Sequence, residues 1–208
     1  MAELTITLPD GSTRNLPVGA TGADLAADIG PGLAKAALVV TVDGDARDLD
    51  RVLPDGSTVS IITADSDEGL HTIRHSTAHV LAQAVLDLWP GATYAIGPPI
   101  QDGFYYDFEL PGGATFSNED LEAIEARMRR VIDADQAFER HEADADEALE
   151  LFSGHPYKQE IIEQVTSGAA TGELAGEAST DGSVTYYRNG EDFIRSEERR
   201  VGKECRSR

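Results

Sequence analysis

His71, His75 and His79 fall at i, i+4 and i+8, which puts them within roughly 80° of one another on a single helix face. Imidazoles one turn apart can share a metal ion or a polar substrate, and with an ordinary pKa of ~6.5 they move protons near neutrality. The intervening Ser76-Thr77-Ala78 lacks the glutamate of a zinc-protease helix, and zinc asks for three or four ligands, so no metal is assigned. The plainer alternative is a half-exposed polar face at the edge of an apolar stripe, with His71 a bystander. Lys158, in His155-Pro156-Tyr157-Lys158, is the second candidate. In an acidic chain, a lysine near two histidines can orient an anionic phosphate or polarise a carbonyl; its alternative is a solvated lysine near a helix start. Tyr105 and Tyr106 point to opposite faces of a strand, so one faces a cleft and the other packs. Gly97-Pro98-Pro99 forms a bend that can line a pocket. The sequence holds no Gly-rich phosphate loop, no Ser/His/Asp arrangement and no Cys-x-x-Cys pair.

The elements that would position these residues fall into two groups. In the first sixty-odd residues, Leu4, Ile6 and Leu8 alternate with Glu3, Thr5 and Thr7, the period of a half-buried strand. Pro9-Asp10-Gly11-Ser12 is turn chemistry, and a second short strand runs through Leu16. Thr21, three residues before Asp24, opens a helix carrying Leu25, Ala26 and Ile29, and Gly30-Pro31 stops it. Ala37–Val42 and Thr58–Ile62 are strands. The order β-β-α-β-β predicts a β-grasp (ubiquitin-like) module. Leu-Pro-Asp-Gly-Ser-Thr occurs at both 8–13 and 53–58; without similarity around the copies it reads as reused turn chemistry.

Residues 64–69 are a polar break, and a helix follows from about residue 67 to Leu88, with Ile73, Val80, Leu81, Ala84, Val85 and Leu88 as its apolar stripe. Strands are expected at Thr93–Ile96 and Gly103–Leu110. Ser117-Asn118-Glu119-Asp120 caps a helix with Leu121, Ile124, Met128, Val131 and Ile132 at 3.6-residue spacing. A short strand near Phe138, helices around Ala148–Phe152 and Gln159–Val165, a Gly-, Ala- and Ser-rich loop over 167–183 and a strand at Val184–Tyr187 complete a two-domain α+β chain.

Composition bounds the function. The 208 residues are 40% hydrophobic, enough for packed cores, and no apolar run approaches the ~20 residues that span a bilayer. The start, Met1-Ala2-Glu3-Leu4, lacks the basic-then-apolar pattern of a signal peptide, and the single Cys205 has no internal disulfide partner; both point to a reducing, cytoplasmic setting without a membrane partner. The net charge is −21, a balance that repels nucleic-acid phosphates. Residues 195–208 (RSEERRVGKECRSR) reverse the sign, contributing +3 against −24 for the rest. That tail reads either as a basic RNA-binding extension or, preferably, as a segment foreign to the natural protein.

Three stretches together carry a resemblance: His75-Ser76-Thr77-Ala78-His79, Ala95-Ile96-Gly97-Pro98-Pro99-Ile100-Gln101-Asp102-Gly103-Phe104-Tyr105-Tyr106-Asp107-Phe108, and Tyr157-Lys158. Residues 1–194 resemble the N-terminal region of the bacterial threonyl-tRNA synthetase family. The resemblance implies a TGS-type β-grasp domain over 1–64 and, over 65–194, an incomplete α+β editing domain of the threonyl/alanyl-tRNA synthetase type, with 195–208 an unrelated tail. It implies that His75 and His79 hold the terminal adenosine and ester or activate water, that Lys158 orients water or stabilises the oxyanion, and that Tyr106 and Gly97 border the substrate pocket. In register, Arg195, Glu197 and Val201 stand where the family has an Asp-x-Cys-x-x-x-His segment that completes the site.

By the same resemblance the intact parent joins threonine to tRNA(Thr) with ATP and clears seryl-tRNA(Thr) by hydrolysis. ATP, magnesium and zinc are expected in the parent's aminoacylation core alone, and none of them as a cofactor of this chain. The expected partners are the 3′ end of tRNA(Thr), engaged weakly, and the remainder of the synthetase. The expected activity of this chain is no ligation and weak or no editing. Two other readings stay open at this point: a free-standing trans-editing aminoacyl-tRNA hydrolase, and a non-catalytic TGS binding module.

Overall fold

The computed structural model describes residues 2–95, 97, 99–136, 138–167, 184–189 and 193–196. Most of the loop expected at 167–183, together with Glu197, Val201 and Cys205, lies outside the described residues. The chain divides into two compact units, and the division falls between Ser76 and Thr77, inside a continuous helix.

In the first unit, strand β1 (Glu3–Thr7) pairs antiparallel with β2 (Thr13–Pro17), as alternation through Leu4 and Ile6 predicts. Gly11 takes a φ of 81° in the connecting turn, where Asp10 Oδ1 accepts from the Ser12 amide at 2.9 Å. The second copy of the hexapeptide does different work: Asp55 Oδ1 accepts from the Thr5 amide at 2.7 Å and so secures the edge of β1. Helix α1 (Gly22–Ile29) opens on a reciprocal cap between Thr21 and Asp24 and ends at Gly30. Pro31 does not stop helical structure; it occupies the first turn of a new helix, α2 (Pro31–Ala36), where its fixed φ suits the start and its absent N–H costs nothing.

Strand β3 (Ala37–Val42) is flanked by β4 (Asp45–Arg47) and β5 (Val59–Thr63), both antiparallel to it. A parallel bridge between Thr7 and Thr58 joins β1 to the start of β5. The resulting order, β2-β1-β5-β3-β4, is the mixed sheet of a β-grasp fold. Leu4, Ile6, Leu16, Leu25, Val40, Val42, Leu53 and Val59 form its core.

Helix α3 (Asp67–Leu88) has the bounds that the sequence predicts. Its start is set by close backbone approach, since a Cβ on Gly69 would lie 1.8 Å from the Thr63 carbonyl oxygen. Beyond it, the expected strands are cut short. Among the described residues, β6 (Thr93–Tyr94), β7 (Pro99–Ile100), β8 (Gly103–Phe104) and β9 (Phe108–Glu109) pair, as an outer rung β6–β9 and an inner rung β7–β8. Tyr105 and Tyr106 stand outside the strands, where Tyr106 packs against Tyr94 and Phe108, while the Asp107 carbonyl still accepts from the Ala95 amide at 3.1 Å.

Helix α4 (Asn118–Asp133) opens on the Ser117/Asp120 capping box. Ile124 and Val131 are buried in it, but Leu121 is 56% exposed despite its place in the periodic pattern. Ala84, Val85, Ala92, Leu110 and Ile124 make one core of the second unit.

Strand β10 (Phe138–Ala143) pairs with β11 (Val184–Asn189), which pairs in turn with β12 (Phe193–Ser196). Helices α5 (Ala145–Leu151) and α6 (Pro156–Thr166) join this sheet in the other core, built on Ala143, Ala148, Phe152, Ile162 and Val184. Strand β12 carries Arg195 opposite Tyr187 and Ser196 opposite Tyr186. Among the described residues, no helix is long and apolar enough to cross a membrane.

Candidate functional site

Helix α3 sets the histidines. His75 and His79 are each only 8% exposed, while His71 is exposed. Thr72, Ser76, Ala78, Ala82 and Gln83 are buried as well. The expectation of a half-exposed polar edge is therefore corrected: from Thr72 to Val85 the helix is covered well beyond its apolar stripe. A polar residue placed there must find its hydrogen bonds inside the protein or in a bound molecule.

Three aromatic rings extend the site from His79. The Tyr106 ring meets His79 edge-on, with centroids 6.5 Å apart. It lies 5.8 Å from the Tyr94 ring and stacks on Phe108 at 5.0 Å. Gly97 is held against the opposite side of this arrangement, so close that an added Cβ would sit 2.1 Å from Tyr106 Cδ2. Tyr105, its neighbour, is 48% exposed. The two tyrosines thus separate as their alternation predicts, with Tyr106 the one that packs inward.

Lys158 completes the cluster. It is 3% exposed, not the solvated lysine of the plainer alternative, and its Nζ stands 5.4 Å from the centroid of Tyr94. A desolvated ammonium over an aromatic face gains up to about 2 kcal/mol, which offsets part of the cost of burying it. Helix α6 delivers it: the His155 carbonyl accepts from the amides of Lys158 and Gln159 at 2.9 and 3.1 Å, closing the first turn. The Tyr157 hydroxyl donates to Glu109 Oε2 at 3.1 Å, fastening this turn to β9.

Tyr106 and Lys158 therefore meet at Tyr94, and Tyr106 links that ring to His79 and Gly97. His75 precedes His79 by one turn on α3, a rise of ~6 Å. Among the described residues, no three His, Cys, Asp or Glu side chains are grouped to hold a metal ion.

Two members of the cluster were not singled out from sequence. Tyr94, fully buried, is the hub, and a tyrosine in a short strand carries no signal of that. His155 is the other, with its ring centroid 5.5 Å from Tyr94 and 6.4 Å from Phe152. Its spacing of three from Lys158 at a helix start was the available signal, because i and i+3 share a face. Burial, and then the Lys158 charge, hold its pKa below the ordinary imidazole value.

Against this geometry stand the similarities to known proteins. The TGS domain family matches residues 4–63, the whole of the β-grasp sheet. Threonine-tRNA ligase of Maricaulis maris (strain MCS10) is 48% identical over 192 residues, covering 91% of this chain. The chain is homologous to the N-terminal region of bacterial threonine-tRNA ligase. The ligase of Geobacter sp. (strain M21) is 50% identical over 167 residues, 79% of this chain, and that of Phenylobacterium zucineum (strain HLK1) 42% over 192 residues, 90% of it. The chain spans 28%, 26% and 27% of the lengths of these three ligases. Since the aligned stretch runs well past residue 63, the homology to the ligase includes the ring cluster and Lys158.

Proposed function

We propose that residues from about 65 onward act as the editing part of a longer threonine-tRNA ligase, accepting the 3′ aminoacyl-adenosine of mischarged tRNA in the cluster around Tyr94. The observation that carries this reading is the burial of Lys158 beside Tyr94, in the same cluster as His79 and Tyr106. Burying an ammonium is costly, so a lysine enclosed in a cluster of rings and imidazole marks a functional site more readily than an apolar side chain would. Ligation of threonine with ATP and magnesium, and any zinc, belongs to parts of the parent outside these 208 residues. The working compartment is the cytoplasm, where tRNA is charged.

The task has a physical rationale. Serine lacks one methyl of threonine, and such a difference supplies only ~1–3 kcal/mol of discrimination at a synthetic site, so a second, hydrolytic site is needed. By the family resemblance, His75 and His79 hold the terminal adenosine and ester or take the proton from an attacking water. The Lys158 ammonium stands to stabilise the oxyanion that forms as the carbonyl becomes tetrahedral. Tyr106, braced by Gly97, borders the pocket. The alcohol of the ribose leaves with a proton, and serine is released.

Arg195, Glu197 and Val201 occupy the register of the family's Asp, Cys and His, so this chain binds without efficient turnover. Titrating it with a non-hydrolysable 3′-seryl-amino-adenosine should shift the NMR signals of His79, Tyr106 and Lys158, with loss of binding in His79→Ala. Absence of any such shift defeats the editing reading. Fast deacylation of seryl-tRNA(Thr) that drops in His75→Ala would instead favour a self-sufficient hydrolase.

A further inference from the structure

We propose that His155 is a positioning residue for Lys158: neutral, it shares the Tyr94 ring with the ammonium, and protonated, it drives the ammonium away. The proposal adds a residue to the editing reading and rests on that reading for its purpose, though not for its test.

Three observations carry it. The Lys158 Nζ and the His155 ring lie 5.4 and 5.5 Å from the same Tyr94 centroid, so a single ring is the common neighbour of both cationic groups. The two residues are three apart at the start of one helix, and the His155 carbonyl accepts from the Lys158 amide at 2.9 Å, which fixes the spacing of their backbones and leaves the side chains to adjust. The His155 Nδ1 is buried with no hydrogen-bond partner among the described residues, which leaves a proton added there without an acceptor.

Among the described residues, groups from three elements face His155. Helix α6 supplies Lys158, β6 the phenol of Tyr94 and the end of α5 the uncharged Phe152. Glu109, the carboxylate tied to the adjoining Tyr157, is engaged with that hydroxyl. Burial and the Lys158 charge both oppose protonation, so at neutral pH His155 is uncharged and the ammonium keeps its seat. Acidification places a second positive charge beside Tyr94. The more mobile group, the lysine on its four-carbon stem, is the one displaced.

The test follows Lys158 directly. In the 208-residue chain, the Cε protons of Lys158 lie under the ring current of Tyr94, and His155 is followed by its own ring protons across a titration from about pH 8 to about pH 4. The Lys158 signal should move with the same midpoint as His155, and the movement should vanish in His155→Gln. Lys158→Met, which keeps an apolar stem of similar length, should raise the His155 midpoint toward that of an ordinary imidazole. A Lys158 signal that ignores the His155 titration, or moves equally in His155→Gln, overturns the proposal, as does an unshifted midpoint in Lys158→Met. Affinity for 3′-seryl-amino-adenosine should weaken on the order of tenfold on acidification through that midpoint, and less so in His155→Gln. If the analogue binds at no pH, the editing reading fails while the Lys158 titration still decides this one.

Discussion

A methyl group at position 97 would stand 2.1, 2.4 and 2.6 Å from three carbons of the Tyr106 ring, far inside contact distance. The ring cannot yield freely, because it is stacked on Phe108 and edge-on to Tyr94 and His79. Gly97→Ala should therefore cost about 1–3 kcal/mol in urea denaturation and alter the near-ultraviolet signal of the tyrosines. An unchanged midpoint and spectrum would mean that the ring has room to move. His155 supplies a prediction with a defined sign. Its pKa is lowered in the folded protein from 6.5, so the unfolded chain binds its proton more readily. The stability it supports is present above about pH 6.5 and is lost as pH falls through the folded value. Denaturation of His155→Gln should show a shallower loss of stability than the parent over that acid range.

Three helix starts share one device. Thr21/Asp24, Ser117/Asp120 and Asp144/Glu147 are reciprocal caps, each with a hydroxyl or carboxylate on the third helical amide and the partner side chain returning the bond. Ser117→Ala should destabilise the chain by about 1 kcal/mol in thermal or urea unfolding. The bonds from the Ser117 amide and then its hydroxyl hold the Asp120 carboxyl below the usual range. The contribution of that cap is thus present at neutral pH and fades as pH falls through the folded Asp120 value; in Ser117→Ala, this part of the acid sensitivity should shrink. At this scale the sequence is largely legible, since capping and apolar spacing are local. The bounds of α3 and the Ala37–Val42 strand could be read directly. The hairpin β6–β9 could not, because it is interrupted at Tyr105 and Tyr106, where rings pack across the fold, a feature outside local propensity. Leu121 fails for a related reason: spacing says which positions share a face, not how far the neighbouring core extends.

Over the whole molecule, the charge of −21 is a source of self-repulsion in the compact state. Among the described residues, Arg127 with Asp87 at 2.6 Å links α4 to α3, and Arg129 pairs with Glu125 along α4, both at least a third exposed and worth at most about 1 kcal/mol each. Raising sodium chloride from about 10 mM to about 0.5 M, which shortens the screening length from ~30 Å to a few ångströms, should raise the unfolding midpoint. A midpoint that falls with salt would mean that attractive pairs outweigh the repulsion. The same acidity makes RNA binding through a general basic surface unfavourable.

What the linear chain decided was whatever depends on neighbours a few residues away: the β-grasp order, the caps, the long helix, and the phase that sets His75 and His79 one turn apart. The motifs around those histidines, around Gly97 and Tyr106, and at Lys158 also pointed to the family. Burial was decided only in three dimensions, because it depends on what packs over a helix face from residues distant in sequence. That is why His75, His79 and Lys158, each with a plausible exposed reading, prove to be enclosed. Tyr94 as the hub, and His155 beside it, belong to the same class: their places arise from three segments meeting at one ring, a meeting that no local spacing encodes.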